Sequence, residues 1–446
     1  MNILIIGAGE VGIQLTKRLV AEKNNVVILE KDPLKAHRAE EQLDALVLVG
    51  NGSSFADLKR AKIEQMEVLA AISNVDEVNL IACQFAKKLQ IPHKIARVRN
   101  PEYIEPNFIL SKQELGVDLI IHPEKETADA IVRLIKQSSA TDIVEFARGD
   151  IQLVGIRLEA NSPIIKKSIK DIWKEYSNLE ARIVAINRKE RTLIPRGDDT
   201  LQIGDQIFVI CERTLISQVA KIAGKENVNI RNIMILGGGL IGRYVAQELE
   251  DQISIKIIES QIERSEEISQ NLRRSLVIHG DGTDIDLLAS EGIVDMDCFI
   301  AVTGDDENNI ISTLMARHLK VPRTIALINK TEYLPITPTI GMDAVVSKKL
   351  ITVNTILRFI QKSAVENLVS IPGVNAEIIE IIAKAGSKIT RKSLKNVQFP
   401  RAAIVGAVHR NNKTIIPSGN TQIKAQDRVV IFSLPSALTD VEKLFE

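Results

Sequence analysis

The chain has 446 residues, 45% of them apolar, and its 57 basic residues are matched by 57 acidic ones. That balance argues against nucleic acid as a default partner, and no apolar run approaches the roughly 18 residues a bilayer span needs. Cys83, Cys211 and Cys298 are too scattered for a zinc pattern or a disulfide framework, so the expectation is a soluble protein of a reducing compartment. Length alone suggests about three domains at roughly 150 residues each.

The chain opens as a strand, Asn2-Ile3-Leu4-Ile5-Ile6, without the basic region or cleavage site of a signal peptide. It enters the turn Gly7-Ala8-Gly9-Glu10-Val11-Gly12, which opens a helical stretch. This is the G-x-G-x-x-G context of a dinucleotide fingerprint. The first glycine permits the tight turn, the second lets backbone approach a pyrophosphate, and the third lets helix and strand pack closely. The helix N-terminus then offers free N–H groups and partial positive charge to phosphate.

Further strands are expected over 26–29, 45–49, 69–72, 95–98 and 119–121, with helices over 12–23, 33–42, 54–60 and 76–89. Near-continuous hydrophobic strands suit a parallel sheet covered on both faces, and right-handed crossovers make it a Rossmann-like, doubly wound fold with ligand at the carboxyl ends of the strands. Glu30 ends the second strand, where an acid accepts hydrogen bonds from ribose hydroxyls and repels a 2′-phosphate, favouring NAD over NADP. Asn51-Gly52 follows the third strand as a turn former or as an adenosine contact. Ser73-Asn74 ends the fourth strand beside the glycine loop, and Asp76 reads as a helix cap. Arg97 and Arg99 close the fifth strand, where a guanidinium reaches a phosphate or ribose, or forms a surface ion pair. Glu10 places a negative charge inside the phosphate loop, which suits a dinucleotide better than the γ-phosphate of ATP.

A helix over 124–137 follows, apolar at Ile131, Leu134 and Ile135. Either it packs on its own sheet or it is exchanged between paired lobes. Short Val/Ile-rich strands and turns then lead through Ile194-Pro195-Arg196-Gly197 to Gly204-Asp205, read as β-turn residues of a small α+β lobe or as part of a cation or small-ligand site between paired lobes.

The whole series then repeats. Gly237-Gly238-Gly239-Leu240-Ile241-Gly242 follows the strand over 232–236 and lies 230 residues after the first turn (237 − 7). Asp281-Gly282 answers Asn51-Gly52, Thr303 answers Ser73, and Asn309 answers Asn79 at the same offset, while Glu259 answers Glu30 at 229. Strands are expected over 255–258, 276–278, 299–302, 324–328 and 344–346, and a helix over 348–361. Leu327 and Asn329 stand where Arg97 and Arg99 would be, so the two sites are not equivalent. The small lobe recurs at an offset of 222 (427 − 205), with Asp427 in the place of Asp205. Repeats this long indicate duplicated domains. The expected divisions are a nucleotide-binding lobe over 1–124, a connecting helix over 125–139, a small lobe over 140–224, a second nucleotide-binding lobe over 230–347, a connecting helix over 348–367 and a second small lobe over 368–446.

No catalytic set or metal cluster is visible. His37, His93, His122, His279, His318 and His409 do not recur as an acid–base pair, and Cys83 lies on an apolar helix face. An NAD-dependent oxidoreductase would need an acid or base beside the nicotinamide, and a transcription factor would need a basic recognition helix.

The two glycine turns, Gly50-Asn51-Gly52-Ser53, Ala96-Arg97-Val98-Arg99, Gly280-Asp281-Gly282, Ala301-Val302-Thr303, Ile404-Val405-Gly406-Ala407-Val408 and the closing Asp440-Val441-Glu442-Lys443-Leu444-Phe445 together resemble the TrkA family, across essentially the whole chain. The family's members are cytosolic regulatory subunits of bacterial Trk potassium uptake systems, built from tandem RCK (also called KTN) domains. The resemblance implies a non-enzymatic subunit on the cytosolic face of the cell membrane, assembled as a homo-oligomeric ring of RCK domains on a Trk-type potassium-conducting partner. It implies NAD or NADH as ligand, with ATP or ADP as alternatives. By matched position the contacts would be Gly7, Ala8, Gly9, Glu10, Val11, Gly12, Glu30, Asn51, Gly52, Ser73, Asn74 and Arg97 in the first half. In the second half they would be Gly237, Gly238, Gly239, Leu240, Ile241, Gly242, Glu259, Asp281, Gly282 and Thr303. The rival readings are an NAD-dependent oxidoreductase and the nucleotide sensor of another channel or transporter.

Overall fold

In Asn2–Ile6 (β1) the four residues after Asn2 are aliphatic and buried on both faces, as a central strand requires. In the computed structural model, which describes all residues except 106, 190, 226–228, 361–364 and 372–373, it pairs in parallel with strands on either side. These are Asn25–Glu30 (β2) and Val68–Ala71 (β4), and beyond them lie Leu46–Val49 (β3), His93–Arg97 (β5) and Leu119–Ile121 (β6). The six-stranded order is β3-β2-β1-β4-β5-β6, and strand order reverses between β1 and β4. The carboxyl ends of those two strands form the crevice where such sheets take ligands.

Local chemistry sets the crossovers. The helix Pro33–Gln42 starts where the Asp32 carboxylate accepts from the Leu34 and Lys35 amides and Pro33 fixes the first turn. Ser54 caps Phe55–Arg60 in the same way. Asp76–Lys88 carries two acids in its first turn and two lysines in its last, matching its dipole.

A second six-stranded parallel sheet repeats this order, with Asn232–Leu236 at its centre between Ser254–Glu259 and Cys298–Ala301. Each half also holds a five-stranded antiparallel sheet. The first is centred on Gln206–Glu212, between Ala181–Arg188 and Ile151–Arg157. The second is centred on Arg428–Ser433, between Glu377–Ile382 and Ala403–Arg410. The two small sheets share a core that includes Phe146, Phe208, Phe432 and Ile378. The fold is therefore mixed α/β, with two Rossmann-like parallel sheets and two small lobes.

The chain divides into two compact units. One comprises 1–126 with 348–360, the other 127–347 with 361–446. The first contains a helix, Lys348–Ile360, that follows the last strand of the second sheet in sequence. It packs against the helix Glu10–Ala21, and Phe359 meets the edge of His93 at 5.7 Å. In the other unit, Ile131, Val132, Leu134 and Ile135 of the helix Pro123–Lys136 are buried with Ile233, Val245 and Leu249. Of the two arrangements left open by sequence, these helices adopt the exchanged one. One expectation is corrected: the connecting helix does not run to 367. It is described as far as Ile360, 361–364 lie outside the described residues, and Val365–Ser370 is already a strand paired antiparallel with Glu377–Ile382. Ladder hydrogen bonds to that neighbour take the backbone that a longer helix would have used.

Candidate nucleotide site

At the carboxyl end of β1 the chain turns at Gly7, whose φ of +106° suits glycine and whose amide donates to Leu29 O at 2.9 Å. A Cβ on Gly12 would stand 2.1 Å from Gly7 O, so helix and loop close only without one. Gly9 is different. Nothing lies within 4 Å of where its Cβ would be, which leaves an open flank at the N-terminus of helix Glu10–Ala21. Gly239 repeats this open flank, Gly237 (φ +107°) repeats the turn, and Gly242 repeats the close approach, 2.2 Å from Gly237 O. At Gly238, where the first half has Ala8, a Cβ would stand 2.3 Å from Ile268 Cδ1, so that isoleucine would have to shift to admit one.

The strand-end acids face these loops. Glu30 Oε2 accepts from the Ala8 amide at 2.6 Å, and its Oε1 accepts from the Asp32 amide at 2.9 Å. Glu259 accepts from Gly238 and Gln261 amides, both at 2.9 Å, and Arg264 lies 3.7 Å away. A carboxylate has about four acceptor positions, so each glutamate steadies its loop and keeps capacity for ribose hydroxyls.

Asn51 Oδ1 accepts from the Ser53 amide and hydroxyl at 3.0 and 2.9 Å, and Asp281 does the same for Thr283 at 2.9 and 2.8 Å. Those amide and hydroxyl donors hold the Asp281 carboxyl below its ordinary value. Their side chains are thus engaged as turn formers. Gly52 and Gly282 pass so close to the first strand of their sheets that a Cβ would meet Ile6 Cγ2 at 2.5 Å or Leu236 Cδ1 at 1.9 Å.

The ends of β4 and β5 are tied by a residue whose role the sequence did not reveal. Asn79 is fully buried. Its Oδ1 accepts from the Ser73 amide and hydroxyl at 3.0 and 2.8 Å, and its Nδ2 donates to Ser73 O and Arg97 O at 3.0 and 2.8 Å. Asn309 makes the same four bonds to Thr303 and Leu327. The available signal was a polar residue recurring on an otherwise apolar helix face.

Asp76 is not a cap. Its Oδ2 accepts from the Arg99 and Asn100 amides at 2.9 and 2.8 Å, pinning the exit of β5, and Asp306 does this for Asn329 and Lys330 at 2.9 and 2.7 Å. Arg97 Nη1 donates to Asn74 Oδ1 at 2.9 Å. Burial pulls its guanidinium below the usual value, against the opposing pull of Glu124. Its Nε is buried without a hydrogen-bond partner, a donor suited to an anion at the strand ends. In the second half Leu327 is buried at this position, so no guanidinium reaches that site from there.

In the same unit, Glu124 meets Lys348 Nζ at 3.2 Å and Arg99 Nε at 3.5 Å. Burial would raise its carboxyl, but Lys348, a backbone amide and Arg99 together hold it below the usual range. His122 is buried beside it, and burial lowers its basicity more than Glu124 restores it. Among the described residues, no group of three or more His, Cys, Asp or Glu could hold a metal. Burial pushes the Cys83, Cys211 and Cys298 thiols up to about 12, which makes them inert core residues.

Asp205 and Asp427 are turn residues with a further role. Each is buried and accepts from an arginine 17 residues earlier: Arg188 Nε and Nη2 at 2.8 and 2.7 Å, and Arg410 Nε and Nη2 at 2.7 and 2.6 Å.

The TrkA-N domain family matches residues 3–123 and 233–348, and the TrkA-C domain family matches 153–224 and 378–446. The "Trk system potassium uptake protein TrkA" of Azorhizobium caulinodans is 35% identical over 451 residues, covering 100% of this chain and 98% of the relative. "Trk system potassium uptake protein TrkA homolog 1" of Methanosarcina mazei is 36% identical over 455 residues, covering 100% of both. A solved GsuK RCK domain matches with a TM-score of 0.60 at 18% identity, covering 100% of this chain and 94% of that one. The GsuK channel bound to NAD gives 0.60 at 18%, covering 100% and 78%. These last two speak to the fold alone. Family matches in both halves and full-length identity above 30% establish that the chain belongs to the TrkA family of Trk potassium uptake proteins.

Proposed function

We propose that this chain is a non-enzymatic regulatory subunit of a potassium uptake system, sensing NAD(H), with ATP and ADP as competing ligands, through its two glycine loops. The observation that carries the reading is the open flank of Gly9 and Gly239, each next to a glutamate that is steadied by loop amides yet keeps acceptor capacity. Pyrophosphate would lie on the helix N-terminus, ribose on Glu30 or Glu259, and the strand-end groups Ser73, Asn74 and Arg97, or Thr303, beyond it. The orphaned Arg97 Nε fits an anionic or ribose partner in the first half only, so that half should bind more tightly. The bound cofactor would supply no reaction here. The chain's own residues orient it, and its binding free energy biases the subunit between two shapes. The relatives' names support a role in potassium uptake; in our reading it is exercised as a ring of copies on the cytosolic side of a potassium-conducting membrane partner. Among the described residues no helix is long and apolar enough to cross a membrane, so contact with the bilayer would run through that partner.

The test is calorimetric titration of NADH, NAD, ATP and ADP, paired with potassium flux in vesicles carrying the membrane partner. Glu30→Ala and Glu259→Ala should each weaken NADH at one site by roughly tenfold, the scale of one charge-assisted hydrogen bond. Unchanged nucleotide affinity and flux response in both variants would reject the reading. Oxidation of NADH with a carbonyl substrate would favour an oxidoreductase instead.

A further inference from the structure

Glu10 stands inside the first glycine loop and is 70% exposed, yet its carboxylate has a cation from far along the chain. Lys349 Nζ lies 3.2 Å from Glu10 Oε2, and the Lys349 side chain is only 8% exposed. Taking a lysine out of water is costly unless an anion meets it, and the anion here is the group that opposes phosphate at the loop. Lys349 is the second residue of helix Lys348–Ile360, and the first, Lys348, is held by the buried Glu124. The helix is therefore secured at Lys348 by a buried carboxylate and at Lys349 by an exposed one that a ligand can displace. The second loop has Leu240 where Glu10 stands, so this device belongs to the first half alone.

We propose that Glu10 and Lys349 form an anion-exchangeable latch, in which bound pyrophosphate replaces Glu10 as the partner of Lys349. The proposal rests on reading the first loop as a dinucleotide site. A pyrophosphate brings two negative charges to the loop, where Glu10 repels it and Lys349 attracts it. Occupancy is then felt directly by helix Lys348–Ile360, which the chain joins to strand Ala344–Val346 of the second sheet.

The full chain carrying Glu259→Ala, to weaken the second site, serves as background for NADH calorimetry at low and high salt. Lys349→Met should weaken NADH about tenfold and flatten the salt dependence, while Lys349→Arg retains most affinity. Glu10→Gln should strengthen NADH about threefold by removing the competitor. Amide exchange over 348–360 should slow on adding NADH to the background protein and not to Lys349→Met. Unchanged affinity in Lys349→Met, or weaker binding in Glu10→Gln, overturns the latch. If Lys349→Met fails to fold, the sign of the Glu10→Gln effect decides. Binding that responds to Glu30→Ala but to neither latch variant removes the latch and leaves the nucleotide reading intact. No NADH binding in the unaltered chain ends both.

Discussion

Asn79 and Asn309 each satisfy four hydrogen-bonding groups with one amide, at the point where the fourth and fifth strands of their sheets end. Removing the amide strands a buried backbone donor and two carbonyls, each costing about 1–3 kcal/mol when unpaired. Asn79→Ala should therefore destabilise its unit by about 2–4 kcal/mol in urea denaturation and also release Arg97, whose carbonyl it holds. A loss below about 1 kcal/mol would show that water replaces the amide. At this scale the strand-end placement of Glu30 and Glu259 was readable, whereas their bonds to the Ala8 and Gly238 amides were not. The sequence was not readable where a side chain works through its neighbours. The Asp76 carboxylate looks like a cap at the head of a helix, and only the folded backbone reveals that it holds Arg99 and Asn100. The arginine partners of Asp205 and Asp427 were closer to hand, since both pairs keep the same spacing of 17 residues.

The glycine loop separates two demands within one element. Gly12 serves closure, since a Cβ there would sit 2.1 Å from Gly7 O, whereas Gly9 meets nothing within 4 Å. Gly12→Val should unfold or severely destabilise the first unit. Gly9→Val should leave thermal stability within about 1 kcal/mol of the parent while abolishing NADH binding at that site, read by calorimetry beside a melting curve. Loss of stability in Gly9→Val would mean the flank is structural and not a landing place for phosphate. The parallel strands and the doubly wound class followed from continuous aliphatic runs alternating with amphipathic helices. The destination of the two helices after the sixth strands did not, because an amphipathic stripe fits any apolar sheet face. The stripe at Ile131, Leu134 and Ile135 says that the helix is buried, not where. The strand that follows the second connecting helix was likewise set by pairing with the next strand of the chain, Glu377–Ile382.

On the scale of the molecule, the larger unit contains a group poised near neutrality. Asp142 Oδ2 accepts from Thr141 Oγ1 at 2.8 Å and Gln206 Nε2 at 2.7 Å, and burial raises its carboxyl from 3.8 to about 6, with Arg323 and Arg157 opposing. The folded chain holds this proton after the unfolded chain has released it. The stabilisation is complete below pH 3.8 and is lost as pH rises to about 6. Asp142→Asn should remove this slope. Chemical denaturation of parent and variant from pH 4 to 6 should diverge by about 1–2 kcal/mol, allowing for partial solvent access. Parallel curves would mean the carboxyl titrates normally.

The exchanged helices carry a consequence for any attempt to dissect the protein. A fragment ending near residue 225 keeps the helix that completes the other half and lacks Lys348–Ile360, which its own parallel-sheet lobe packs against. A chain cut at the apparent repeat boundary would expose an apolar groove and pair with a second copy or aggregate. Supplied together, the two severed pieces would each bring the part the other needs, so the duplicated halves are tied by reciprocal dependence as well as by their peptide linker.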